Sequence, residues 1–471
     1  ADGSGSIGGA ARIVAYSFDF GDGVTVGPQS GSGATHTYGT GNWTATLTVT
    51  DSLGGVASAS VLVPVAPPPP PVTGSAFYVD NSSGSCSNTG PGALTSPYCS
   101  ISAALAAHHD AGTTIVVLPG VYREQVTLPA SGTSGSPIVL QAQASPGRPV
   151  VVSGADDLAN PALWVLSSGS VWRAASVTWS PKQVFADSVR LTASTAAPAS
   201  LPVNSFVWVS GQGLFVNVGG DNPGNHRVEV GRQSYGFLAS GRSWVVIDGF
   251  TVTRSELDGI EITNLSSNVT VTHNTSMFSG VYGIRVSNST AVVIGSNATS
   301  NHVSSGIALT AGSTGCTLQD NESFRNLTPG QSCGIYSYGS PGNLIQRNRL
   351  HDNAYDGVRL IAGTINNVLV QNAAWNNAHH GFEDLGCTGN THVGDVSYGN
   401  ISNGFGVEGG ATGTSLSNCV AAENGQASGT SDLQIDAAST VGFTSSDNLL
   451  WNASATRSIA RYNGASYTTV A

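Results

Sequence analysis

Residues 257–262 read LDGIEI, and the phrase returns as VYGIRV (281–286), SSGIAL (304–309), SCGIYSY (332–338), YDGVRL (355–360), HHGFEDL (379–385) and SNGFGVE (402–408). Its glycines, Gly259, Gly283, Gly306, Gly334, Gly357, Gly381 and Gly404, step by 24, 23, 28, 23, 24 and 23 residues. A period in the low twenties with one strand per period describes a solenoid, because each coil can bury its apolar side only against its neighbours. Each period holds a second short strand, as in SNVTVTHN, TGCTLQDN, GNLIQRN, NNVLVQN and TSLSN, ending on Asn274, Asn321, Asn348, Asn372 and Asn418. A further row stands at Asn326, Asn353, Asn377, Asn400 and Asn424. Stacked coils place equivalent residues about 4.8 Å apart. An inward asparagine can then satisfy turn amides of its own and neighbouring coils. Repeat, β-branched inward positions and asparagine rows predict an all-β right-handed parallel β-helix.

Within each phrase the residue after glycine points inward: Ile260, Ile284, Ile307, Ile335, Val358, Phe382 and Phe405. The next points outward: Glu261, Arg285, Ala308, Tyr336, Arg359, Glu383 and Gly406. Just before the glycines lie Asp258, Tyr282, Ser305, Cys333, Asp356, His380 and Asn403. Around the fifth and sixth phrases this gathers Tyr336, Tyr338, Asp356, Arg359, His379, His380, Glu383 and Asp384, with Glu408 one coil on.

Three chemistries suit such residues. A lyase needs a cation to neutralise a uronate carboxylate and a base for the α-proton, roles for Arg359 with Tyr336 or His380. A glycoside hydrolase needs two carboxylates, for which Asp356 with Glu383 or Asp384 are candidates. A Ca2+ site needs several oxygens, which Asp356, Glu383 and Asp384 could supply. Tyr338, Arg285, Glu261 and Glu408 extend the face as candidate substrate contacts. The structural alternative is that Arg359–Glu383 and Arg285–Glu261 are cross-strand pairs contributing about 0.2–1 kcal/mol each to an exposed ladder.

The rest of the chain frames this repeat. Gly 60 and charged residues at 10% suit a turn-rich β solenoid. The formal charge of −11 argues against a nucleic-acid partner, and no apolar run of 18 spans a membrane. Lys182 is the only lysine, far upstream of the cluster. Six cysteines without a CxxC suggest disulfides, hence an extracellular or cell-surface location. Cys86 with Cys99 is the favoured pair; Cys316 with Cys333 and Cys387 with Cys419 are further candidates.

Residues 1–66 alternate strands with glycine-rich turns, predicting a small β-sandwich. Phe18-Asp19-Phe20-Gly21-Asp22-Gly23, His36-Thr37-Tyr38 and Leu47-Thr48-Val49-Thr50-Asp51 resemble a PKD domain. In that family an edge strand precedes the ADGSGS-like phrase at which this chain starts, so the resemblance implies a missing first strand and an open sheet edge. Prolines 67–71 form a stiff linker over 67–73, and the β-helix occupies 74–471. It opens with SISAALAAHHDAG, a capping helix with Ser100 at its N-cap. Residues 155–240 break the period as antiparallel hairpins.

The order of start phrase, cap helix, PGVYRE, hairpin insertion and coils resembles secreted β-helix carbohydrate-active proteins over residues 76–455. More distantly it resembles family-nine pectate lyases. Their Asp-Asp-Gly-x-Asp calcium phrase is here His379-His380-Gly381-Phe382-Glu383, and their Gly-Phe-Lys phrase is Gly404-Phe405-Gly406, without the catalytic lysine. The resemblance implies a secreted protein that binds and cleaves a polysaccharide, as lyase or hydrolase. The contrasting expectation is a non-catalytic, filament-forming surface protein that self-assembles through the open sandwich edge.

Overall fold

The computed structural model describes residues 2–6, 11–37, 41–65, 75–145, 147–454 and 457–469. It contains two compact units, 1–73 and 74–471. The proline stretch 67–71, the 67–73 linker and Tyr38 lie outside the described residues.

In the first unit, strands Thr25–Gln29, Ile13–Asp19, Gly41–Asp51 and Val56–Val65 form one antiparallel sheet in that order. The expected sandwich is therefore, among the described residues, a single four-stranded layer with edges at Thr25–Gln29 and Val56–Val65. Phe18 and Phe20 are buried, and Asp19 accepts the Gly21 amide at 2.8 Å in the turn that follows. Gly21 has φ +78° and would put a Cβ against the Thr44 carbonyl, so this turn requires glycine.

The second unit is a parallel β-solenoid of three sheets with 12, 12 and 11 strands. The first, here the ladder sheet, holds Ile260–Thr263, Ile284–Ser287, Ile307–Thr310, Ile335–Tyr338, Val358–Ile361, Phe382–Leu385 and Phe405–Glu408. Ile260, Ile284, Ile307, Ile335, Val358, Phe382 and Phe405 pair in one register row, all buried. Each such side chain contributes about 1.5–3 kcal/mol of burial. The rings of Phe382 and Phe405 stack at 4.9 Å.

The recurring glycines mark a tight corner. A Cβ on Gly357 would lie 2.5 Å from the Gly381 carbonyl and 2.6 Å from Ala374 Cβ. Both neighbours are fixed parts of the stack. Gly357→Ala is therefore expected to lower stability by about 1–3 kcal/mol, read as a reduced urea midpoint. An unchanged midpoint would show that the corner is not sterically closed.

Asparagine rows run through the turns. Asn348 Nδ2 donates to Asn372 Oδ1 at 2.9 Å and to the Leu318 carbonyl at 2.9 Å, and Asn372 Oδ1 also accepts the Asn348 amide at 3.0 Å. The row Asn274, Asn297, Asn321, Asn348, Asn372 ends on Asp395, which accepts from Asn372. Asn418 is not its next member. Val396 pairs with Val420, so Cys419 occupies that place. The second row begins at His302 and continues through Asn326, Asn353, Asn377, Asn400 and Asn424 to Asp432.

Helix Ile101–Ala107 caps the first coil, burying Ile101, Ala104 and Leu105, with the Ser100 hydroxyl accepting the Ala103 amide. Cys86 and Cys99 are bonded. Cys316, Cys333, Cys387 and Cys419 are free and buried, against the further pairings expected. Cys316 precedes a strand of the second sheet and Cys333 one of the ladder sheet, so the stacking keeps them apart.

Between Val150–Ser153 and Phe237–Ser240 the insertion forms two small sheets, antiparallel but for one pairing. Glu256, just before the ladder strand Ile260–Thr263, pins it: its carboxylate accepts the amides of Lys182 at 2.7 Å and Gln183 at 3.3 Å. Among the described residues no helix is long and apolar enough to cross a membrane.

Candidate active site

Register places the site. Arg359 pairs with Glu383, and Glu383 with Gly406, on the outer side of the ladder sheet. Alternation along a strand sends these side chains outward, yet Glu383 is only 3% exposed. Arg359 Nε lies 2.6 Å from Glu383 Oε2, a contact of charge whose N–H is not aligned on the oxygen. Burial, aided by Asp356, pushes the Glu383 carboxyl up to about 8. It is therefore largely protonated at neutral pH.

Asp356, expected to be catalytic or metal-binding, is wholly buried and fully engaged. Its Oδ1 accepts from His379 Nδ1 at 2.8 Å and from the His380 amide at 2.9 Å. It cannot touch a substrate; it orients His379. That histidine, half-buried and stacked on Tyr355 at 4.2 Å, keeps Nε2 free. Arg359 covers the Tyr355 ring at 4.9 Å.

His380 takes a different part from that expected. Its Nδ1 accepts the Asn403 amide at 3.0 Å, which puts the neutral ring's proton on Nε2. Burial lowers its pKa to about 4, so it stays neutral and is no base for a substrate. Nε2 points between Glu383 Oε1 at 3.9 Å and Glu408 Oε1 at 4.0 Å. These three groups bring ligand-type atoms within 4.8 Å of one another. Glu408 is the more open, with 22% of its side chain exposed, and Asn403 Nδ2 donates to it at 2.9 Å. Gly406 adds no side chain here; a Cβ would come within 3.2 Å of Glu408 Oε1.

Asp384 does not join the site. It faces the solenoid interior, where its carboxylate accepts from Thr414 Oγ1 at 2.8 Å and meets His392 Nε2 at 3.4 Å. The calcium set Asp356, Glu383 and Asp384 therefore does not converge. Tyr336 and Tyr338 lie on the face, Tyr336 half-buried against Tyr282 at 6.5 Å and Tyr338 exposed. Arg285 and Glu261 sit on the same face nearer its start.

A family model described as periplasmic copper-binding protein (NosD) matches residues 222–468, more than half of the chain. The chain belongs to the NosD family. A PKD-domain model matches residues 1–65 of this NosD-family chain. Its fold is similar to that of XylC, solved with xylose, at 16% identity, TM-score 0.60, covering 74% of this chain and 69% of that one. A glycoside hydrolase is similar at 9% identity, TM-score 0.53, covering 80% and 96%. Pectate lyase Pel9A is similar at 16% identity, TM-score 0.45, covering 80% and 79%. No curated protein sequence matches the chain.

The NosD description raises copper, which favours imidazole nitrogens with a free lone pair. Asp356, His379 and His380 also bring ligand-type atoms within 4.8 Å. His379 offers Nε2. His380 does not: metal-bound histidines donate from the second nitrogen, whereas His380 accepts there. One imidazole among carboxylates does not fit copper.

Proposed function

We propose that this chain is a retaining glycoside hydrolase acting outside the cytoplasm on a polysaccharide laid along the ladder sheet. The carbohydrate class is supported by the fold's likeness to β-helix enzymes, and the extracytoplasmic place by the family's periplasmic description and the Cys86–Cys99 bond. One observation carries the reaction. Glu383 and Glu408 hold carboxyl oxygens within 4.8 Å, and burial keeps Glu383 protonated. Retaining glycosidases hold their two carboxyl groups about 5–5.5 Å apart. Glu383 is the general acid, protonating the leaving glycosidic oxygen. Glu408, more exposed, attacks the anomeric carbon; Glu383 then takes the proton of the water that releases the sugar. His380 Nε2–H is aimed between the two carboxyl groups.

The sign of the pH dependence follows. Glu383 must carry its proton, so activity is expected to fall as pH rises through about 8. The test is a panel of polysaccharides read for reducing ends and for product anomer by NMR. New reducing ends with retained configuration are the expected result.

A second reading rests on the Asp356–His379 pair, which frees Nε2 as a base for elimination from a uronate. Its cation would have to be Arg359, which already lies 3.8 Å from the buried Asp356 carboxylate. Unsaturated products in the panel would establish this reading in place of hydrolysis.

A further inference from the structure

The residues that precede the ladder glycines share a task. The Asp258 carboxylate accepts the Tyr282 amide at 2.9 Å, the Ser305 hydroxyl accepts that of Cys333 at 3.1 Å, and the Asp356 carboxylate accepts that of His380 at 2.9 Å. His380 Nδ1 takes the Asn403 amide in turn, and Asn403 Oδ1 takes that of Ser431 at 2.9 Å. Each of these side chains satisfies a backbone N–H of the next coil, at a corner that would otherwise strand it. Aspartate, serine and histidine all suffice for that.

Asparagine brings something the task does not need. A backbone amide can only donate, so the Asn403 atom facing Ser431 is the oxygen, and the NH2 is turned the other way. There Nδ2 donates to Glu408 Oε1 at 2.9 Å. Asn403 is buried, and its orientation is fixed from both ends. Among the described residues no hydrogen bond reaches Glu408 Oε2. The groups facing Glu408 are mostly acidic. Glu383 and His380 hold atoms within 4.8 Å of it. Asp436, one coil on, accepts the Gly409 amide through Oδ2 at 2.8 Å. Burial and the Asp436 and Asp356 carboxylates push the Glu408 carboxyl up, and His379 and the Asn403 donor oppose them. A donor bonds a carboxylate more strongly than a neutral carboxyl, so Asn403 favours the ionised form.

We infer that Asn403 is a positioning residue, whose NH2 holds Glu408 by Oε1 as the carboxylate and leaves Oε2 as the attacking oxygen. The inference rests on the hydrolase reading and assigns its nucleophile to one atom. An Oε2 lone pair forms the bond to the anomeric carbon as the glycosidic C–O bond breaks, and the leaving oxygen takes the Glu383 proton. Water then attacks that carbon and gives its proton to Glu383, and the electron pair of the C–Oε2 bond returns to Oε2. Oε1 stays on Asn403 throughout.

Two variants isolate the NH2, because Asp356 and Ser305 show that aspartate and serine keep the bond to the next coil. Asn403→Asp sets a second carboxyl against Glu408. The acid limb of the kcat/KM profile, where Glu408 ionises, is expected to move up by about one pH unit or more, because two adjoining carboxyls resist ionising together. The alkaline limb at about 8, set by Glu383, should stay. Asn403→Ser removes the donor without adding charge; kcat should fall about tenfold or more, the scale of one hydrogen bond to a charged group, with a smaller upward move of the acid limb. A second measurement needs no turnover: an NMR titration of the full chain labelled at its glutamate carboxyl carbons, with the Glu408 resonance assigned by its absence from Glu408→Gln. Its midpoint should rise in both variants. A merely structural Asn403 would lower the urea midpoint and kcat while the acid limb and the Glu408 titration stay in place, and that result overturns the inference. A wild type that releases no reducing ends would sink hydrolysis instead, and the titration would still decide whether Asn403 sets the charge of Glu408.

Discussion

Glu383→Gln is expected to reduce turnover by about 10²–10⁴-fold, the usual contribution of a general acid, with KM little changed. Glutamine keeps the volume but has no proton to give to the leaving oxygen. The fold should tolerate it, because the row Phe382–Phe405 beneath stays packed. Arg359 loses its 2.6 Å partner and retains Asp356 at 3.8 Å, which remains beside it as a counterion. The measurement is kcat by reducing-end release on the polysaccharide found active, with a urea midpoint beside it. Turnover within a few-fold of wild type, in a folded variant, would remove Glu383 from the chemistry. The variant should also lose the decline in activity above about pH 8, because the group that titrates there is gone.

The solenoid was legible because its physics is one-dimensional: a coil repeats, so glycine corners and inward aliphatics repeat with it. What period-two alternation could not tell is what covers the outward side. Glu261 and Glu383 read as exposed ladder members, yet neighbouring arginines, tyrosines and aspartates bury them, and that burial raises their pKa values. The same limit reversed two histidines. His379 and His380 are adjacent letters, and only the hydrogen bonds to Asp356 and Asn403 separate an oriented free nitrogen from a neutral buried ring. Cys316 and Cys333 looked pairable at 17 residues, but in a coil of 23–28 residues that separation puts them on different sheets. Lys182 shows a further limit of the period. The period says nothing of where an insertion folds, and Glu256 draws it back to the ladder.

The buried charge inside the solenoid makes the largest stability prediction. His392 is 2% exposed, with Nδ1 at 3.1 Å from Asp395 and Nε2 at 3.4 Å from Asp384, and with Phe382 and Phe405 edge-on at 5.7 and 5.8 Å. Burial alone would lower its pKa, but the two carboxylates outweigh it and raise the imidazole to about 10. At neutral pH it is an imidazolium holding two acids together. His392→Leu removes that cation and leaves both carboxylates inside, so a loss of about 3–5 kcal/mol is expected. The unfolded histidine titrates near 6.5, below the folded value. Its contribution is therefore fully present below about pH 6.5 and is lost as pH rises toward about 10. Urea unfolding from pH 6 to 10 checks this: the wild type should lose stability across the range with a slope that His392→Leu lacks. Equal slopes in the two proteins would mean that His392 is neutral. The asparagine row would then end on Asp395 without a counterion at its side, and some other group would have to balance the two acids.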